Sequence, residues 1–153
     1  MISKTSGYAI RGLAYLALKS TAVNKVGIHE LAAELNVPQP FLGKIMQGLV
    51  RREIISSTKG PNGGFFTNER TLATPIIDVV DAIDGLGMFR RCFLGMPECN
   101  SETPCPLHHH VVGFRDSLRH SLETLTVQDM VTDVEGGLSV LTRLPVLSST
   151  EYP

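Results

Sequence analysis

Residues 28–67 constrain the fold more than any other stretch, because they place two short amphipathic helices and a tight hairpin in immediate succession. In IHELAAEL, the apolar residues Ile28, Leu31, Ala32 and Leu35 recur at i, i+3, i+4 and i+7, one stripe of a helix. Asn36-Val37-Pro38 ends it. Pro40 suits the first turn of a following helix, where its missing N–H costs nothing. That helix is expected over roughly Pro40 to Arg52, burying Phe41 or Leu42, Ile45, Met46, Leu49 and Val50. Ile54 to Ser57 then reads as a strand, KGPNGG as a turn and Phe65 to Thr67 as the returning strand. A helical hairpin alone is common. Followed at once by a β-hairpin, it is a winged helix-turn-helix. Upstream, GYAIRGLAYLALKS supplies a first helix through Tyr8, Ile10, Leu13, Ala14, Leu16 and Leu18, with Ser6 as its expected cap.

Charge agrees with this reading. Residues 1–70 carry nine Lys and Arg against four Asp and Glu, a net +5, whereas residues 71–153 carry five Arg against eleven acids, a net −6. A basic half joined to an acidic half implies that the first meets a polyanion. The third helix would enter the major groove, with Gln39, Lys44 and Gln47 at base edges and Arg51 and Arg52 nearer phosphate. Lys59 stands at the base of the wing and Asn62 near its tip. Any one of these cations is adequately explained as a solvated surface charge; as a set on this scaffold they point to double-stranded promoter DNA.

The acidic half opens with Thr74 as a cap, Pro75 in the first turn and IIDVVDAI as a helix ended by Gly85; Asp78, Asp81 and Asp84 read as its solvated face. Then comes CFLGMPECNSETPCPLH, which holds all three cysteines of the protein. Six residues separate Cys92 from Cys99 and five separate Cys99 from Cys105, with His108 three positions beyond. Gly95, Pro97, Pro104 and Pro106 keep the segment a loop, which can fold three thiolates toward one point. Three cysteines so crowded fit a disulfide framework poorly. Soft sulfur donors favour zinc, copper(I) or an iron–sulfur cluster, and an imidazole suits zinc and iron; the spacing does not choose among them. Helical periodicity resumes near Pro106, and Val111 or Val112, Phe114, Leu118, Leu122 and Leu125 form a stripe. Dimerisation against a second copy, packing onto the first helix, or both would bury it. Thr126 caps a short helix, VQDMVTDV, and residues 138–153 read as a loose tail.

The expected fold is therefore mainly α with a small β-hairpin wing, a winged helix-turn-helix plus a long C-terminal dimerisation helix. The expected divisions are a DNA-binding domain over 1–72, a helix, cysteine loop and dimerisation helix over 73–135, and a tail over 136–153. No apolar run is long enough to span a bilayer, and Arg11 interrupts the N-terminal one, so a cytoplasmic protein with reduced thiols is expected. An enzyme is disfavoured. Zinc hydrolases keep an open coordination position and a general base, whereas three thiolates and an imidazole close the shell. His109 and His110 read as surface residues.

SGYAIRGLAYLAL, NVPQPFLGKIMQGLVRREII, the wing STKGPNGGF, the helix VVDAIDG and the three-cysteine loop together resemble the IscR/NsrR family of bacterial winged-helix transcription regulators. The likeness runs from about residue 3 to about 135. It implies a homodimer that crosses its long C-terminal helices and holds one iron–sulfur cluster per subunit, whose state selects promoters. It places the thiolate ligands on Cys92, Cys99 and Cys105. His108 falls where the biogenesis regulators have their fourth ligand, and this histidine-containing set favours 2Fe–2S. Nitric-oxide-sensing relatives use a carboxylate in the first helix, at the position held here by Gly7. The Cys92–Cys99 gap is one residue longer than in the biogenesis regulators. The family's base-contacting positions fall on Pro38, Pro40 and Gly43, so its DNA target does not carry over. The alternative is a regulator of the same fold that senses thiol oxidation or binds zinc through these cysteines.

Overall fold

The computed structural model describes residues 2–141. Seven α-helices and one antiparallel hairpin make up its regular structure among the described residues: α1 (Lys4–Lys19), α2 (Ile28–Leu35), α3 (Gln39–Arg51), β1 (Ser56–Thr58), β2 (Gly64–Phe66), α4 (Glu69–Leu72), α5 (Ile76–Asp84), α6 (His108–Thr124) and α7 (Val127–Glu135). A 3₁₀ turn, Leu86–Phe89, follows α5.

The apolar stripes read from the sequence meet in one core. Leu13 and Leu16 of α1, Leu31 and Leu35 of α2, and Leu42, Met46 and Leu49 of α3 are almost completely buried. Each such side chain contributes about 1.5–3 kcal/mol relative to leaving it in water. Ile76 and Val79 of α5 and Val127 of α7 join the same cluster, so α1 packs on helices from both halves of the chain. Gly12 sets the close approach of α1 to α3, since a Cβ there would lie 2.7 Å from Cε of Met46. Asn36, in the left-handed region at φ 53°, turns the chain out of α2 toward α3.

The first strand of the wing starts two residues later than expected and the second one residue earlier. β1 and β2 pair with Ser56 opposite Phe66 and Thr58 opposite Gly64. Ile54 and Ile55 are not strand residues; they are buried core plugs that follow Glu53, itself at φ 58°. Val26 pairs with Phe65 as a third, single-residue rung. Gly64 permits this, because a Cβ would stand 2.7 Å from the Val26 carbonyl oxygen.

Several boundaries differ from expectation for local reasons. α1 begins before Ser6 and is capped by Ser3, whose hydroxyl accepts from the Ser6 amide. α3 starts at Gln39 and ends at Arg51, with proline inside its first turn. Thr74 does not cap α5; its hydroxyl donates to the Arg70 carbonyl, and Pro75 occupies the cap position. α4 was not anticipated, and it is held by a capping box between Asn68 and Thr71. α6 rests on α5 and the 3₁₀ turn rather than chiefly on α1. Of the proposed tail, Leu138 and Val140 are exposed, Leu141 accepts a hydrogen bond from Arg11, and residues 142–153 lie outside the described residues.

Candidate DNA-binding face and cysteine site

α3 shows one face to the core and the other to solvent. Gln39, Lys44, Gln47 and Arg51 are all exposed on it, and Lys59 and Asn62 are exposed on the wing. Lys44, Arg51 and Lys59 make no ion pair among the described residues. Arg52 differs: it lies 3.9 Å from the Asp81 carboxylate of α5. Two residues not singled out from the sequence adjoin this face. His29 Nδ1 lies 3.2 Å from Gln39 Oε1, and Lys25 Nζ sits 5.8 Å from the Phe66 ring centroid at the wing. The first follows from the short α2–α3 connection and the second from the Val26 rung.

α5 joins this face to the cysteine loop. At its far end Asp84 accepts from the Ser3 amide at 3.0 Å, the Ser3 hydroxyl at 2.7 Å and the Ser6 hydroxyl at 2.8 Å, clasping the start of α1. Partial burial raises the carboxyl pKa, but the Ser3 and Ser6 hydrogen bonds outweigh it and hold the group below its ordinary value. A depressed folded-state pKa stabilises the protein above the unfolded value of about 3.9 and is lost as pH falls through the folded value. Asp84→Asn is expected to lower the denaturation midpoint at pH 7 and to flatten the dependence of stability on pH below about 4. Chemical denaturation of both proteins at several pH values checks this.

The loop from Arg90 to Leu107 gathers the sulfur donors in two pairs. Cys92 and Cys105 are both buried, and the Cys105 side chain is one of the groups that lower the Cys92 pKa. Backbone N–H groups, foremost that of Met96 and then those of Leu94 and Gly95, also point at Cys92 Sγ and hold its pKa below the ordinary thiol value. Gly95, at φ 76°, makes the turn that aims them. The second pair is Cys99 and His108, with Sγ and Nδ1 3.4 Å apart. His108 is only 7% exposed although it opens α6, and its amide bonds the Cys105 carbonyl at 2.9 Å, which ties the second pair to the first. His109 and His110 are exposed. So are Glu98 and Glu102. All three cysteines are free. Among the described residues, no three His, Cys, Asp or Glu side chains are set to hold a single ion.

A helix-turn-helix with its hairpin directly after the second helix defines a class, the winged-helix transcription regulators. Within that class the chain belongs to the Rrf2 family: the family model, described as an iron-dependent transcriptional regulator, matches residues 2–133. A protein of Aquifex aeolicus described as an HTH-type transcriptional regulator is 30% identical over 145 residues, covering 94% of this chain and 99% of that one. Two solved structures share the fold at low identity. CymR of B. subtilis, a global cysteine regulator, superposes with a TM-score of 0.70 at 17% identity, over 86% of this chain and 96% of its own. IscR of T. potens gives a TM-score of 0.70 at 16% identity, over 92% of each chain. Among the described residues no helix is long and apolar enough to cross a membrane.

Proposed function

We propose that this Rrf2-family regulator binds a promoter operator as a homodimer and that a 2Fe–2S cluster held by Cys92, Cys99, Cys105 and His108 controls that binding. The observation that carries the reading is the arrangement of donors as two adjoining pairs. One tetrahedral zinc would need all four ligands to converge on one point. A two-iron core would take four such donors, and Cys92, Cys105, Cys99 and His108 are the residues that would hold it. The backbone N–H groups around Cys92 favour a thiolate and suit a sulfur bonded to a cationic core. Buried His108 has no surface role to explain it. When bound, the cluster would supply a one-electron redox centre whose loss or reduction reorganises the loop. The protein's own contribution is to bury the donors, aim the amides and carry any rearrangement through α5 to α3. Anaerobically reconstituted protein should be brown and contain two iron and two acid-labile sulfide per chain; a colourless protein with one zinc overturns this reading.

The Cys92–Cys105 contact favours one alternative, thiol sensing. Its signature would be a colourless protein that loses two thiols on mild oxidation and leaves Cys99 free.

The homodimer rests on α6. Phe114 is 69% exposed on its outer side, beside an apolar hollow lined by Met88, Phe89, Phe93, Val111 and Leu118. A second copy would bury this surface and set two recognition helices about 34 Å apart, facing half-sites one helical turn apart. Light scattering should report a dimer at micromolar concentration, and Phe114→Glu should shift it toward monomer. A parent protein that is monomeric with and without cluster would sink the assignment.

A further inference from the structure

We propose that Arg115 is the positioning residue of the cysteine site, holding the Cys99 sulfur and offsetting the negative charge that gathers there when the cluster is bound. The inference rests on the cluster reading above and adds to it a residue outside the ligand set. Arg115 lies two helical turns beyond His108, so both project from the same side of α6. Its Nη1 is 3.4 Å from Cys99 Sγ and 3.3 Å from the Arg91 carbonyl oxygen, so one guanidinium nitrogen ties both arms of the loop. The side chain is 18% exposed, an unusual setting for an arginine. Its nearest carboxylate, on Asp116, is 4.0 Å away, too far for a hydrogen bond.

Among the described residues Arg115 Nε has no hydrogen-bond partner, and it is shut off from solvent. A buried donor without an acceptor costs about 1–3 kcal/mol, so the folded protein gains when an anionic acceptor arrives. Three thiolates and a neutral imidazole leave an oxidised 2Fe–2S centre with a net charge of about −1, and reduction adds another electron. A fixed cation against one of its thiolates stabilises the reduced state more than the oxidised one. With only 18% of the Arg115 side chain exposed, solvent screens the interaction less than it would at the surface. Arg115 therefore raises the reduction potential and slows loss of the cluster.

The test uses full-length protein reconstituted anaerobically with ferrous iron and sulfide. The variants are Arg115→Met and Arg115→Lys, with Arg119→Met, an exposed arginine paired with Glu123, as control. Arg115→Met is expected to keep the visible bands, to show a more negative reduction potential, and to lose its cluster to a chelator several-fold faster. Arg115→Lys keeps the charge but not the fork, so its potential should stay near the parent while its decay quickens. Arg119→Met should match the parent in both. A folded Arg115→Met protein with parental potential and decay overturns the role of Arg115 and leaves the cluster reading standing; a parent that takes up no cluster overturns both. If Arg115→Met loses its helical circular dichroism, Arg115→Lys decides, and parental decay there refutes the proposal.

Discussion

Cys92→Ala, Cys99→Ala and Cys105→Ala are each expected to abolish the visible cluster spectrum of reconstituted protein, whereas His108→Ala should leave a weaker, faster-decaying one. The asymmetry follows from the donors. An anionic thiolate binds ferric iron far more strongly than a neutral imidazole, and each cysteine lost strips one pair to a single ligand. Cys92 Sγ also faces the Met96 amide, so its loss removes a ligand and leaves that amide without its sulfur acceptor. His108 acts differently. Its amide bond to Cys105 belongs to the backbone and survives substitution, leaving α6 in place to accept a replacement ligand. His108→Cys should accordingly give a more persistent cluster with a lower potential, since a fourth thiolate adds negative charge. His109→Ala and His110→Ala should behave as the parent. The rival is that Glu98, Glu102 or water completes the site. Parental absorbance, potential and lifetime in His108→Ala would decide for it.

Operator binding by an Arg51→Ala/Lys59→Ala double variant is expected to weaken on every sequence alike and to lose about 1.8 from its log–log salt slope per subunit, at about 0.9 per phosphate contact. Both cations are exposed and pair with no carboxylate among the described residues, one at the end of α3 and one where the wing turns, as phosphate contacts require. Arg52→Ala should change that slope little, because its guanidinium is turned to Asp81. Gln39→Ala and Gln47→Ala should instead alter sequence preference, by about 1–3 kcal/mol per lost bidentate contact. An unchanged salt slope in the double variant on a mapped operator would remove α3 and the wing from the DNA.

The winged helix-turn-helix was legible because its signals are local. The i, i+3, i+4, i+7 stripe of α2, the proline in the first turn of α3 and the Gly/Asn-rich turn of the wing each act within a few residues. What escaped was decided by distant partners. Ser6 looks like a cap, yet its hydroxyl is taken by Asp84 far along the chain, and Ser3 caps in its place. Asp84 read as one of three solvated acids for the same reason. Ile54 and Ile55 have strand-like side chains, but Glu53 in the left-handed region turns both into the core. α4 has four residues, too few for periodicity; only the Asn68–Thr71 spacing marked it. At the cysteine loop the candidate donors could be named from residue type alone. Their division into two pairs could not, because it depends on how α6 docks on α5. Arg115 carries no sequence mark that separates it from Arg119.

α5 holds Arg52, the residue that closes α3, through Asp81 and the start of α1 through Asp84, and leads through the 3₁₀ turn into the loop that bears Cys92. If that helix is the shared element, traffic along it runs both ways. Whatever factor the cluster imposes on operator affinity, the operator must impose on cluster affinity, because the four states form a closed thermodynamic cycle. Couplings of this kind are worth about 1–3 kcal/mol, a factor of roughly 5–150. The half-exposed Arg52–Asp81 pair can supply only a small part of it. On the proposed reading, the promoter is thus itself a ligand that changes the regulator's affinity for its cluster.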